Sequence, residues 1–456
     1  MRPLLVLDVV GLTPELLRHA PNLSALAQYG FSAPLTPVLP AVTCTAQSSM
    51  LTGRLPSEHG IVANGWYFRD RAEVGFWKQS NHLVQGDKVW DELRRRSPGA
   101  TTANLFWWFN MYGSADYSVT PRPAYPADGR KIPDCYSHPA DLRDRLQAEL
   151  GTFPLFFFWG PKADIRSTRW IAESALRLLE WHAPSLSLVY LPHLDYALQQ
   201  VGPDHPSIAG EVAQVDAEAG RLIDAHRARG YGIVALSEYG IMPVRDAVFP
   251  NRLLRSANLL SFRHDMTGEL LDHGASRAFA VPDHQIAHVY CRTSEAARSA
   301  RAALEGADGI ARVLGGDERA EIGLDHERSG ELVLLSDHDH WFAHDWWRSP
   351  ADAPDYQRTV DIHRKPGYDP RELFMDPTKL LIGPRTIGKV ILRKLGLRNL
   401  LDFVPLDTSL VRGSHGLLTK TPDTGPLVIA DTTDHAPDAL HQTGIRDYLL
   451  ARMLAD

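Results

Sequence analysis

Three cysteines in 456 residues, Cys44, Cys135 and Cys291, are too few and too scattered for a disulfide framework or a thiolate metal cluster. That scarcity suits a reducing compartment, and the expected location is the cytoplasm. Long hydrophobic runs are also missing. Leu4 to Val10 and Pro154 to Trp159 fall well short of the ~20 apolar residues that cross a bilayer. The N-terminal run is broken by Asp8, which favours a buried first strand over a leader peptide. Nor is there an excess of positive charge: the net charge of -7 gives no electrostatic reason to expect a nucleic-acid polymer. Neither a membrane nor a nucleic acid is therefore an expected partner, and oligomeric state is not legible.

The chain does carry a recurring alternation of short apolar strands and helical periodicity. A strand at Leu4 to Asp8 precedes a helical pattern from Thr13 to Tyr29. A buried strand at Leu186 to Leu191 leads to a helix from Ile208 to Arg229, then to a strand at Gly232 to Leu236 that runs into Ser237-Glu238-Tyr239-Gly240. From about Ile241 to Phe403 the rhythm breaks into Pro-, His- and aromatic-rich sequence. Strands at Ile286 to Tyr290 and Glu331 to Leu335 and a helix at Ser294 to Leu304 remain legible there. A strand near Leu427 to Ala430 and a helix near Asp438 to Leu454 close the chain, and no internal repeat stands out.

Polar residues at the ends of buried strands are where open parallel sheets put their ligands. Asp8 ends the first strand, and the segment from Pro40 to Gly53 reads as a turn entering a helix near Thr43. A hydroxyl at a helix N-terminus lies in a field that favours anions. Singly, such residues are often no more than helix caps; together with the pattern downstream of Thr43 they carry more weight.

The stretch from Thr43 to Thr52-Gly53, followed by Pro56-Ser57-Glu58-His59-Gly60-Ile61, resembles the alkaline phosphatase superfamily in its type I phosphodiesterase and nucleotide pyrophosphatase branch. The resemblance is most specific over the first 65 residues and continues in order, more loosely, downstream. It implies an α/β fold with a doubly wound, mostly parallel sheet flanked by helices, with inserted loops or a small cap. We expect one catalytic domain over 1–456, with its core at about 1–240, 286–336 and 404–456 and insertions at about 241–285 and 337–403.

The resemblance further implies Thr43 as nucleophile and two divalent metal ions. Carried over by position, the ligands are Asp8, Thr43, Asp195, Glu238 and His415, with Gln199 and Tyr239 standing where the family has imidazoles. Glu238 replaces an Asp, and Ala46 replaces an Asn that helps to hold a phosphoryl oxygen. Amide and phenol oxygens are weaker ligands, so Gln199 and Tyr239 serve either as ligands or as residues facing ligands or substrate. This oxygen-rich set suits harder ions such as Mn²⁺ or Mg²⁺ better than Zn²⁺, and the expected ions are Zn²⁺ or Mn²⁺, or else Mg²⁺. His193, His205, Asp337-His338-Asp339-His340 and His344-Asp345 are alternative donors. Asp272-His273-Gly274 copies a family tripeptide but follows no clear apolar strand and is read as a turn.

The implied activity is metal-dependent hydrolysis of a small phosphorus ester (phosphodiester, pyrophosphate or phosphonate) through a phospho-threonine intermediate. Two rivals remain: a retired enzyme that binds a metabolite or partner, and a phosphoryl-group transferase. Retention of Thr43 and Asp8 at the right spacing weighs against the first; nothing in the sequence separates hydrolase from transferase.

Overall fold

The computed structural model describes residues 1–436 and 439–454. Its centre is a nine-stranded sheet. The strands, in chain order, are β1 (Leu4–Val9), β2 (Phe31–Thr36), β3 (Thr102–Leu105), β4 (Tyr117–Pro121), β5 (Cys135–His138), β6 (Leu186–Leu191), β7 (Gly232–Leu236), β8 (Leu427–Ala430) and β9 (Leu440–His441). Across the sheet they run β9-β2-β8-β7-β1-β6-β3-β4-β5. The middle five, β7 to β4, are mutually parallel, and β5 and β8 pair antiparallel at either side. The expected α/β fold with a mostly parallel sheet is therefore present.

β1, β6 and β7 are buried along their whole lengths, because both faces are covered by helices, and this is why they read as continuous apolar runs. β1 lies between β6 and β7, in register Asp8 opposite Tyr190 and Leu236. Parallel pairing brings the three carboxyl ends to one edge, so Asp8, the start of the helix after β6, and the Ser237-Glu238-Tyr239 turn after β7 become neighbours.

The helical pattern from Thr13 to Tyr29 is split in two. A 3₁₀ turn spans Glu15–His19, and helix α1 begins at Pro21 and ends at Tyr29. Pro21 has no N–H to donate backwards and sits at the first helical position, where none is needed. Further helices that frame the sheet and its ligand edge are α2 (Thr43–Thr52), α3 (Ile165–His182), α4 (His193–Val201), α5 (Ile208–Arg227) and α6 (Ile445–Leu454). The expected start of the last helix, Asp438, lies outside the described residues, and α6 itself begins seven residues later, after a 3₁₀ turn at Gln442–Gly444.

Residues 286–336, expected within the core, do not extend the large sheet. Strands Ala278–Asp283, Ile286–Cys291, Leu332–Ser336 and Ile310–Gly315 form a second, antiparallel sheet with a hydrophobic cluster of its own. The turn joining its first two strands consists of His284 and Gln285, with His284 at φ +60°. This turn, and a strap over 355–376, reach the end of the large sheet where Asp8 lies. No described helix is long and apolar enough to cross a membrane.

Candidate active site

Thr43 is the first residue of α2, and the helix that it opens is buried throughout, ending on Gly53 at φ +70°. Its hydroxyl lies 3.0 Å from the Tyr239 hydroxyl, which donates to Asp195 Oδ1 at 3.2 Å. A phenol has one hydrogen; with Asp195 ionised that hydrogen goes to the carboxylate, so the Tyr239 oxygen accepts from Thr43. Tyr239 therefore aims the Thr43 hydroxyl.

Asp195 and Gln199 are one helical turn apart on α4, and the Gln199 amide donates to Asp195 Oδ2 at 2.8 Å. The carbonyl oxygen of that amide accepts from the Tyr368 hydroxyl at 2.8 Å, which ties the strap to the site. His415 follows the short strand Gly413–Ser414 and stacks flat on Tyr239, ring centroids 3.6 Å apart. Its Nδ1 donates to the Ala41 carbonyl at 2.7 Å, which leaves the lone pair on Nε2 free, 3.8 Å from Asp195 Oδ1. Burial pushes this imidazole down to about 3, so it is neutral. A neutral histidine held through Nδ1 with Nε2 unengaged is the form in which imidazole binds metals.

On the other side of Thr43, the carboxyls of Asp8 and Glu238 share one amide. Gln47 Nε2 donates to Glu238 Oε1 at 2.6 Å and to Asp8 Oδ2 at 3.2 Å, while its Oε1 accepts the Trp108 backbone N–H at 2.7 Å. Gln47 lies four residues after Thr43 and so on the same helix face. The remaining oxygens, Asp8 Oδ1 and Glu238 Oε2, are buried without a hydrogen-bond partner. Burial, and then the charge of Glu238, hold Asp8 well above the usual carboxylate range, and burial also raises Glu238. Asp195 is pushed up to about 7, by burial first and by Glu238 second.

The structure thus gathers all seven residues singled out in the sequence: Asp8, Thr43, Asp195, Gln199, Glu238, Tyr239 and His415. The alternative donors lie elsewhere. His193 pairs with Glu211 at 2.7 Å. His205, His338 and Asp339 line a separate cleft of about 680 Å³ beside Gly11 and Leu198. His344 and Asp345 pack against the strap, on Gln357 and Arg371. Asp272 caps a turn and His273 packs on Tyr67 and Phe279.

Four residues of the site were not singled out: Gln47, Tyr368, Asp283 and His284. His284 lies between His415 and Tyr368, ring centroids 3.6 and 3.7 Å away. Asp283 accepts from the Asn64 backbone at 2.7 Å and side chain at 3.1 Å, and Asn64 Oδ1 accepts the Cys44 N–H at the start of α2. Gln47 left a signal in its helical spacing from Thr43, and Tyr368 in the polar, aromatic run from Val360 to Pro370 that contains it.

Two unpartnered carboxylate oxygens and a free imidazole nitrogen, all buried, make a donor set that fits divalent cations. Among the described residues no three His, Cys, Asp or Glu side chains converge on one point. Each half of the site offers two such groups, with Thr43, Gln199 or Tyr239 oxygens beside them.

Residues 4–369 match the family described as type I phosphodiesterase / nucleotide pyrophosphatase. The chain belongs to this family. It is 25% identical over 258 residues to an uncharacterized pyrophosphatase/phosphodiesterase of Schizosaccharomyces pombe, a match covering 53% of this chain and 44% of that protein; the chain thus spans less than half of that relative's length. Among solved structures it is similar to a murine ectonucleotide pyrophosphatase/phosphodiesterase 5, an inactive variant in complex with AMP (TM-score 0.60, 13% identity, 99% of this chain and 95% of the other). It is also similar to phosphonoacetate hydrolase from Sinorhizobium meliloti 1021 in complex with phosphonoformate (TM-score 0.63, 15% identity, 99% and 96%). At such identities these structures establish the alkaline phosphatase-like fold of the family.

Proposed function

We propose that this protein hydrolyses small phosphorus esters (phosphodiesters, pyrophosphates or phosphonates) with Thr43 as nucleophile. The observation that carries the reading is the position of the Thr43 hydroxyl. It opens a buried helix between two pairs of groups, Asp8 with Glu238 and Asp195 with His415. A bond forms from Thr43 Oγ1 to phosphorus as the bond to the leaving oxygen breaks. The Thr43 proton moves to the Tyr239 oxygen as the Tyr239 proton moves on to Asp195, and the leaving group takes up a proton from solvent. Water then attacks phosphorus, the Thr43 ester bond breaks and the hydroxyl regains its proton.

Asp8, Thr43 and Glu238 would hold one divalent cation, Zn²⁺, Mn²⁺ or Mg²⁺, and Asp195 and His415, with Gln199 near, a second. Such ions neutralise charge that develops on the phosphoryl oxygens and acidify the attacking oxygen. Tyr239 aims Thr43, and Tyr368 holds Gln199 against Asp195.

One observation favours a second reading, a retired site that binds a ligand without turnover. The Gln47 amide already bridges Asp8 and Glu238, engaging one oxygen of each carboxyl. Elemental analysis of protein purified without added metal separates the two, paired with turnover of a p-nitrophenyl phosphodiester, phosphonate and monoester panel under Zn²⁺, Mn²⁺ and Mg²⁺. Cation-dependent turnover is expected, with lower cation content in His415→Ala. No bound cation and no turnover with any ion would leave the retired site.

A further inference from the structure

Between 376 and 402 the sequence carries six Lys and Arg against two Asp, in a chain whose net charge is -7. This stretch forms an arm. It leaves the strap at Asp376 and returns at Phe403, where the Asp376 N–H bonds the Phe403 carbonyl at 2.7 Å. Its helix spans Ile382–Lys394. Nine of the nineteen exposed large hydrophobic residues among the described residues fall between Leu380 and Leu400. An exposed leucine alone needs no explanation; a cluster of this density does.

The orientation of the helix is the second observation. Ile387, Ile391 and Leu395 recur every four residues and share one face; Arg385, Lys389 and Arg393 recur every four on the opposite one. In water such a helix buries its apolar stripe against the protein. Here the reverse is seen. Lys389 pairs with Asp402 on the returning chain, and Arg393 donates to the Asn399 carbonyl at 2.6 Å and 3.1 Å. Polar side chains hold the helix by its basic face, and Ile387, Ile391 and Leu395 stand outward, 61%, 52% and 72% exposed.

We propose that this arm docks on an anionic lipid surface, with Ile387, Ile391 and Leu395 entering the boundary between headgroups and acyl chains. Charge complementarity selects the occupant. The arm carries a net charge of +4 from its six cations and two acids, and it is an outward-standing helix rather than a groove. An anionic bilayer takes up the apolar stripe directly and is drawn by the field of the arm's surplus positive charge, of which Arg385 is exposed, as interfacial helices require. A second copy docking by the same patch would set like charges against each other. A helix of 13 residues is too short to cross a bilayer, and its geometry suits lying in the plane of the interface. The inference is independent of the hydrolase reading, since no residue of the arm lies in the site.

The test is co-sedimentation of the full chain with vesicles of phosphatidylcholine alone or with about 30% phosphatidylglycerol. Sedimentation roughly ten-fold higher with the anionic vesicles is expected, reversed by salt near 0.5 M as surface charge is screened. The double variant Ile387→Ser, Ile391→Ser should lose it while its melting temperature and its turnover of a water-soluble ester stay unchanged. Equal sedimentation with both vesicle types, none with either, or full binding by the double variant would overturn the proposal. So would concentration-dependent dimerisation by light scattering that the same variant abolishes in protein that does not sediment.

Discussion

Two clusters of fully buried charge lie on either side of Tyr368, and they are built on opposite plans. In the strap, Lys365 sits 2.8 Å from Asp369 and 2.9 Å from Glu372. Arg371 grips Asp345 with two nitrogens, at 2.6 and 2.9 Å, and Asp369 with a third at 2.7 Å. Cations nearly match anions, and the two basic groups beside Asp369 hold its carboxyl far below the usual range despite burial. In the candidate active site Asp8, Glu238 and Asp195 share the space with a neutral imidazole and neutral amides, and all three carboxyls are raised. Buried charges that are paired on the spot serve architecture. Buried carboxyls with no basic partner are raised instead, and their leftover lone pairs are where the proposed cations would bind.

Substitution can upset either plan. The largest effect belongs to the nucleophile: Thr43→Ala should lower turnover by about 10³-fold or more. Circular dichroism and melting temperature should stay near wild type, because only one hydrogen bond is lost. Full activity in that variant would remove Thr43 from the mechanism. Next comes Arg371→Met, which strips Asp345 of its two-nitrogen grip and Asp369 of one of its two basic partners, and should cost about 3–5 kcal/mol in denaturant unfolding. A cost under about 1 kcal/mol would show that the strap network is not architectural.

The smallest effect has the opposite sign. In chelator-treated protein Glu238→Gln removes one acid from an unbalanced cluster and should stabilise by on the order of 1 kcal/mol, and in protein purified without chelator the same variant should hold less cation. Destabilisation there would mean that the site is balanced without a cation. The same cluster sets a pH dependence. Asp195 and Asp283, both raised to about 7, bind protons more tightly folded than unfolded. Their contribution is complete below about pH 4 and is lost as pH rises through 7. The melting temperature of cation-free protein should therefore fall between pH 5 and 8, and saturating divalent cation should flatten the decline.

Much of this was legible in the linear sequence. The apolar runs at Leu4 to Asp8, Leu186 to Leu191 and Gly232 to Leu236 mark strands buried on both faces, and the polar residues that come after them mark the ligand edge. The spacing from Thr43 to Thr52-Gly53 fixes a helix start and a left-handed stop. Such signals survive because they depend on periodicity and on backbone preference, both local. The single helix read over Thr13 to Tyr29 went astray at Pro21, where a local rule was outweighed by apolar periodicity.

The parallel core is written in the linear chain; the seven polar residues delivered to its edge were marked by the family resemblance, carried over position by position, and not by local pattern alone. Their partners were chosen in three dimensions. Packing placed Gln47 between Asp8 and Glu238, Tyr239 between Thr43 and Asp195, and Tyr368 and His284 over the site from the strap and the second sheet. Thr43 and Tyr239 are 196 residues apart in the chain and bond at 3.0 Å. Such pairs are selected by how strands and turns pack, at distances set to tenths of an ångström, and no local pattern encodes that.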